Sequence, residues 1–578
     1  MSMFVAKNKK PDLIKRKYQR ILIAGLIGWI VYLFGSIIDN IFSGKFLSIE
    51  ALNAVQIVTP FYSFINFIAC LINISFAVRY NHVLGKEGKE KASKIAGLGL
   101  IFTIAISVIL SLLYFFLQTP LLKIFSSSER TFELANNYFL WQIVIAAIYP
   151  IYSYIYRLVD VDGDASCLIT TDITQVFVKI LTSFFFMRAF GISGLGMGTV
   201  SAIVAALVIT LTHWFKKRSG VRFKFYFSIK EIGSCLKNGI AASSRILYIT
   251  IAMALLNVYI VTYIDNSFLP TYSIINFIVN IADLFICIPN CAANFLSIGH
   301  GSKNYDDIKK CIKLEKKWAI IVSVVCTILF ASLSPVIPFL YGVYNNSSQY
   351  WYSCIAVLII VPSYIFSAFL ELIVNTNVSI AINRETSIII PLFNKLIFYT
   401  FLPVILGYLA GQLGFIAGFM LAPICTLILV LIILFIKHKK PVIFKLKEID
   451  EKQFSFDYFA KDDSIKAMIE EVRTILKENK VDRTALIKTI GSISDINAII
   501  IKYNPNNLIT VRLTLGIAAK IIRIIVKHDG RILTNEEKIK IENSKDDHFF
   551  FTACINAMSY KTYTAVSYSY STLTIDRA

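Results

Sequence analysis

Apolar runs of roughly 20 residues, repeated along most of the chain, constrain this sequence more than any other feature. They fall at 20–42, 54–80, 95–117, 134–158, 167–187, 193–215, 240–264, 268–296, 317–340, 352–378, 387–410 and 412–436. A helix needs about 20 residues to cross a hydrocarbon core of about 30 Å. In that solvent each backbone amide must be satisfied within its own segment. The runs therefore predict an all-α polytopic membrane protein with about twelve transmembrane helices. Composition agrees, since 56% of the 578 residues are hydrophobic, against about 45–50% in a soluble domain. A formal charge of +21 would point to nucleic acid in a soluble chain. Here the lysines sit in short loops between apolar runs, where they set topology and meet headgroups. Membrane lipids are expected partners and nucleic acid is not.

Basic residues cluster at the N-terminus and at Arg79–Lys94, Lys216–Lys237, Lys303–Lys317 and Lys437–Lys447, while the alternate loops carry only Lys45, Lys123, Arg130 and Arg188. Basic loops stay inside, which predicts a multi-pass protein of the cell membrane with both termini cytoplasmic. The basic start leads into Ile21–Ile38 with no small-residue cleavage site, so the first run is expected to be a retained span. The ten cysteines form no CxxC pair. Cys287 and Cys291, one turn apart in an apolar run, are expected to pack rather than bind metal. No cofactor is expected, nor an enzyme activity.

The stretch Ile37–Lys94 shows the plan of the chain in short form. An apolar run ends in Asp39-Asn40, a turn follows at Gly44, a second run stops at Arg79, and a basic loop closes the unit. The plan recurs. The loop Gly85–Lys94 is echoed by Gly301–Lys310, Ser63–Ile68 by Ser273–Ile278, and Gly191–Gly194 by Gly411–Gly414. The repeat divides the chain into a basic cytoplasmic N-terminus (1–19), a six-helix bundle (20–217), a cytoplasmic linker (218–237), a second six-helix bundle (238–440) and a tail (441–578). An even number of spans per half makes the repeat parallel, with the substrate path expected between halves. The linker reads as a short amphipathic segment on the leaflet. The tail has no span-length run. A helix at Asp462–Asn479, strands at Leu508–Leu515 and Ala519–Lys527, and a turn at Asp529-Gly530 predict a small cytosolic α+β domain.

Ionisable groups inside spans are costly and mark functional sites by default. Asp39 lies near the outer end of the first run, where it serves either as a headgroup-level carboxylate or as a coupling-ion site. Asp172, Gln175 and Lys179 fall at i, i+3 and i+7 on one face of the fifth run. That face either lines the path, or holds a static Asp172–Lys179 pair. Matching Gly194 to Gly414 places Lys395 one turn from the equivalent of Lys179, so both lysines are expected to face the path. Asn276, Asn280 and Asp283 share a face of the eighth run, and Glu371 lies in the tenth. Arg245, close to the cytoplasmic end of the seventh run, is expected to snorkel.

These motifs, taken in order, resemble the multidrug and toxic compound extrusion (MATE) family. The matching stretches are IDNIFSG and LSIEALNAVQIVTP (to Pro60), LGKEGKEKAS (Leu84–Ser93), VDGDAS (Val161–Ser166) and GISGLGMGTVSA (Gly191–Ala202). The resemblance covers about 15–438 and implies cation-coupled antiport, with protons or sodium entering as a small molecule leaves. By motif it makes Asp39 the coupling carboxylate, with Glu371 and Asp283 as further candidates; the seventh run offers only Asp265, at its end. The substrate cavity would be lined by Asp172, Gln175, Lys179, Lys395, Asn276 and Asn280. Family members usually carry an Asn-rich segment where this chain has Lys179. Two free lysines would favour an anionic or zwitterionic substrate.

The tail resembles the ATP-binding fold of histidine kinases and anti-sigma factor kinases over Ile490–Tyr503, Ile524–Leu533 and Met558–Ile575. If Asn497 is the magnesium-binding asparagine, Ser492 and Ile493 replace the acid that fold needs. His528 falls at the adenine-reading aspartate, with Asp529 beside it. The resemblance implies a degenerate, non-hydrolysing domain that binds a cytosolic partner or regulates transport through Arg79–Lys94 or Lys216–Lys237. Two further readings share these features: a flippase for a lipid-linked or amphiphilic anion, and a membrane receptor signalling through its tail.

Overall fold

The first helix, α1 (Leu13–Phe42), begins where the Asp12 carboxylate accepts from the Lys15 amide (2.9 Å), and it passes into a π-turn at Ser43–Leu47. The structure is a computed structural model. It describes residues 12–577 apart from 88, 126–127, 163, 216–220, 265, 302, 345–346, 381–385, 439–450, 505–508, 531–558 and 566–567. Asp265, the basic cluster Lys216–Arg218, most of Lys437–Lys447 and parts of the tail segments Ile524–Leu533 and Met558–Ile575 thus lie outside the described residues.

The first half continues with α2 (Ile49–Glu87), α3 (Lys89–Phe125), α4 (Glu129–Asp162), α5 (Ala165–Phe190) and α6 (Ile192–Leu211). The second half opens with α7 (Ile229–Tyr259). One span is split into α8 (Leu269–Ile281) and α9 (Cys287–Gly301) by a 3-10 turn, Ala282–Ile286. Next come α10 (Tyr305–Ser332), the short α11 (Val336–Leu340), and α12 (Ser348–Ile360) with α13 (Tyr364–Ser379). Finally α14 (Thr386–Leu392) leads through a π-turn, Phe393–Ile397, into α15 (Phe398–His438). Non-helical backbone at Ala410 and Gly411 breaks α15 into two arms. Among the described residues, ten helices are long and apolar enough to cross a membrane. One of these, Thr386–Lys437, holds two spans; with α1 and α10 the bundle reaches about the twelve expected. Another, Arg483–Lys502, is not a span at all: it packs in the tail domain.

The echo between halves is geometric as well as sequential. Gly191 has φ 58° and ψ −135°, and Gly411 has φ 62° and ψ −148°. Only glycine adopts that backbone without strain, so each half makes the same tight turn before its last span. Ser63 and Ser273, also an echoed pair, both bond across the boundary between halves. Ser63 meets Thr250 (2.7 Å), and Ser273 donates to Gln56 Oε1 (3.1 Å). Asn257 adds a bond to the Gln56 carbonyl (3.2 Å).

The halves also meet at both ends. On the tail side Arg79 of α2 forks onto Glu231 of α7 (3.2 Å to each oxygen). On the far side Gly44 and Gly342 touch backbone to backbone, and a Cβ on either would strike the other's segment. The linker differs from expectation. Residues 221–228 form no regular element, with the Lys224 amide donating to the Ser93 carbonyl (3.1 Å), and 229–237 are the first turns of α7. The reason is a helix start at Ser228-Ile-Lys-Glu231, where the Ser228 side chain accepts from the Glu231 amide (3.3 Å).

The tail is an antiparallel sheet in the order β1-β2-β3-β5-β4, built from β1 (Glu451–Phe459), β2 (Thr510–Ala518), β3 (Ile521–His528), β4 (Ser559–Ala565) and β5 (Tyr568–Asp576). Both α16 (Asp462–Glu478) and α17 (Arg483–Lys502) cover one face, closing a core that includes Val472, Ile493, Val511, Leu513, Ile524 and Leu573. Asn497 is spent inside this core. Its Oδ1 accepts from the Tyr458 hydroxyl (2.9 Å), its Nδ2 donates to the Ile493 carbonyl (2.8 Å), and it is 1% exposed.

The opposite face of the sheet rests on the membrane bundle, which is why β2 is buried on both sides. It contacts neither Arg79–Lys94 nor Lys216–Lys237 in the bonds seen among the described residues; its partners are Lys303–Lys310 and the start of α1. The docking seen among the described residues differs from that expectation for an electrostatic reason. That face presents Arg512 and Lys527, and they seek the acidic Asp306-Asp307 rather than a basic loop.

Candidate substrate and coupling-ion site

In the first half α1 carries Asp39 to the buried side of the bundle, 8% exposed. Three groups converge on its Oδ2: the Tyr138 hydroxyl from α4 (3.0 Å), the Lys179 ammonium from α5 (3.2 Å) and the Thr199 hydroxyl from α6 (3.4 Å). Its Oδ1 is buried and has no hydrogen-bond partner among the described residues. One oxygen is therefore saturated and the other open. An unpaired buried carboxylate oxygen is costly, so this geometry favours any small cation or proton that reaches it.

The face of α5 behaves differently from expectation. Lys179 bonds Asp39, not Asp172. Asp172 instead accepts from Tyr156 (3.0 Å), and Gln175 from Tyr152 (3.1 Å). Tyr149 donates to Asn66 (3.1 Å) in the same ladder. These α4 tyrosines, with Tyr138 and Thr199, were not singled out from the sequence. A signal was present, since Tyr149, Tyr152 and Tyr156 stand at i, i+3 and i+7 on one face.

The second half builds a four-charge cluster. Arg245 of α7 bonds both Asp283, in the 3-10 turn after α8, and Glu371 of α13 (2.8 Å). Lys395, in the π-turn after α14, also bonds Asp283 (3.0 Å). Arg245 therefore does not snorkel; its side chain is 20% exposed and held by two carboxylates. The two carboxylates drew it inward, because a charged head leaves water readily only for a well-placed partner. Asn276 accepts from Tyr399 of α15 (3.0 Å), while its echo Asn66 accepts from Tyr149 of α4, so the two tyrosines come from helices that do not correspond. Asn280, half-buried, lies between Asn276 and Asp283 on the same segment. Neither lysine is a free positive charge, which removes the basis for an anion-attracting cavity.

The candidate residues thus form two sites, Asp39 with Lys179 in one half and Asp283, Glu371, Arg245 and Lys395 in the other. Contact between α1 and the turn holding Asp283 places the second site at the boundary of the halves. Two six-helix halves with buried, mutually neutralised charges at or near their boundary make up a two-bundle membrane fold. Comparison with known proteins makes this more specific. Residues 26–185 match the profile of the MatE family. No curated protein matches the sequence. A structure of the inward-facing conformation of a multidrug resistance MATE family transporter of the MOP superfamily superposes with a TM-score of 0.63 at 17% identity, covering 68% of this chain and 92% of that one. An outward-facing structure of such a transporter gives 0.60 at 18% identity, over 72% and 94%. A structure of the MATE multidrug transporter DinF-BH gives 0.62 at 19% identity, over 76% and 100%. The chain carries the MATE fold along its bundle and the MatE signature in its first half.

Proposed function

We propose that this protein is a secondary transporter of the cell membrane that exports a small organic molecule in exchange for a cation, a proton or sodium, with Asp39 as the coupling carboxylate. Both termini, and with them the tail domain, lie in the cytoplasm on this reading, as the Lys/Arg asymmetry of the loops directs. The observation that carries it is the divided state of Asp39, with Oδ2 held by three donors and Oδ1 open. Lys179 occupies the carboxylate while the coupling ion is absent, so the buried charge is never left bare. An arriving ion takes the open oxygen, weakens the hold on Lys179 and frees α5 to shift against α1. Glu371 and Asp283 stay matched to Arg245 and Lys395 and hold the second half rigid while the first responds.

The charge balance bears on the substrate. Each lysine faces a carboxylate, and Asp172 is held by a neutral tyrosine. The surplus along the path is negative, which favours a neutral or cationic organic substrate over an anionic one. The test is purified protein in proteoliposomes under imposed proton or sodium gradients, with cationic dyes as probes. Gradient-driven dye movement by the wild type, lost in Asp39→Asn, is the expected result. Equal rates for both would sink the assignment of Asp39.

A further inference from the structure

The sheet of the tail domain grips the membrane bundle through buried charge. Cross-strand register aligns Asp457 of β1, Arg512 of β2 and Lys527 of β3 in one row on the face away from α16 and α17. Arg512 reaches Asp307 (2.7 Å), Asp306 (2.8 Å) and Asp457 (2.6 Å), and Lys527 closes on the other oxygen of Asp307. Gln453 accepts from the Tyr305 and Asp306 amides at the start of α10 (2.9 and 3.2 Å), and donates to the Lys303 carbonyl (2.6 Å). Arg512 and Asp307 side chains are 3% and 1% exposed.

The same cluster reaches the first half. Lys310 of α10 bonds Asp457 (3.1 Å) and Asp12 (2.9 Å), the residue that caps α1. The first turns of α1 are buried at Leu13, Ile14 and Tyr18, with the Tyr18 hydroxyl donating to the Ile288 carbonyl of α9 (3.1 Å), and α1 also touches β2. One domain therefore holds the tail-side end of α1, from the first half, against α9 and α10, from the second.

We propose that the tail domain is a clamp on this end of the bundle, which must lift off Asp306 and Asp307 before the halves can part there. Alternating access parts the halves at one end at a time, and a domain fastened to both opposes that step. The contact cannot loosen gradually. A partial shift would strand Asp307, Arg512 or Lys527 without a partner in a buried place, so docked and fully released are the two stable arrangements. The purpose of the clamp rests on the transporter reading, but its mechanical effect can be measured without substrate or ion.

The experiment places spin labels at Ser166 of α5 and Lys313 of α10, both exposed on the tail side of opposite halves. It compares wild type with Arg512→Gln and, from the other side of the contact, Asp306→Asn/Asp307→Asn. Hydrogen exchange on the full chain reports the domain separately. Release frees the Tyr305 and Asp306 amides from Gln453 while the β2–β3 ladder stays protected; unfolding frees both. With the domain docked the long-distance population should stay below about 10%, and in the released variants it should become the majority. Released variants that keep the wild-type distance distribution would overturn the clamp. So would variants in which the Tyr305 and Asp306 amides stay protected, since the ion cluster would then not be what holds the domain. A distance shift in protein that shows no gradient-driven flux would sink the transporter reading and leave the clamp standing.

Discussion

The two halves of the bundle repeat each other in backbone and differ in charge. Both turn at a left-handed glycine, Gly191 and Gly411, and in both an echoed asparagine accepts from a tyrosine hydroxyl, Asn66 from Tyr149 and Asn276 from Tyr399, though from helices that do not correspond. Counting back from the paired glycines, the position of Lys179 in the first half is that of Tyr399 in the second. The first half thus keeps one carboxylate and one ammonium, with an open oxygen on Asp39. The second binds two carboxylates to two basic groups. The same division appears in the loops. Gly85–Lys94 is basic, while its echo Gly301–Lys310 contains the Asp306-Asp307 pair that receives Arg512. A duplicated fold has kept its turns and paired its buried charges differently in the two copies.

The largest test of that division is functional. Asp39→Asn should cut gradient-driven transport by about 100-fold or more, because an amide cannot exchange a proton or hold a cation as a carboxylate does. Glu371→Gln should cost only severalfold. Equal losses in a proteoliposome flux assay would erase the difference between halves. Stability should rank the other way. Arg245→Met strands Asp283 and Glu371 with Lys395 alone, and breaking a buried ion network by one partner costs about 3–5 kcal/mol. Lys179→Met leaves a single carboxylate that can protonate, and should cost less. Thermal unfolding in detergent compares the two, and a larger shift for Lys179→Met would reverse the assignment.

The third test concerns acid and the tail domain, which follows the second half in the chain. Burial pushes the His528 imidazole down to about 4. A group whose folded value is depressed in this way stabilises the neutral form, so domain stability falls as pH drops from about 6.5 towards 4, by up to about 3 kcal/mol. Asp307 follows at lower pH. Burial alone would raise its carboxyl, but Lys527 and Arg512 outweigh that and hold it below the usual carboxylate range. Its contribution to docking is present above that range and is lost as pH falls through the depressed value. Hydrogen exchange against pH should show β3 losing protection first and the Tyr305 and Asp306 amides later. The reverse order would contradict both shifts. The smallest effect is expected for Tyr138→Phe and Tyr399→Phe, each losing about 1 kcal/mol of hydrogen bonding. Only Tyr138→Phe should also shift the ion dependence of transport, because only it touches Asp39.

Local pattern alone determined much of this protein. Run length made the spans, since a helix must satisfy its own backbone in hydrocarbon whatever surrounds it. The echoed glycines marked equivalent turns, because the left-handed backbone they need is a local property. One tail helix, α16, and two strands, β2 and β3, followed from periodicity to within a few residues. Partners did not follow. Helical spacing put Asp172, Gln175 and Lys179 on one face, yet it carried no information about what that face meets. Lys179 found Asp39, 140 residues away, and Asp172 found a tyrosine. Arg245 read as a snorkelling cation until packing set Asp283 and Glu371 beside it. The tail's docking site was hidden for the same reason: the row Asp457–Arg512–Lys527 comes from three strands and exists only once the sheet has formed. A residue's own helix or strand is decided by neighbours in sequence, whereas the charge it meets is decided by which elements pack, and only the tertiary structure supplies that.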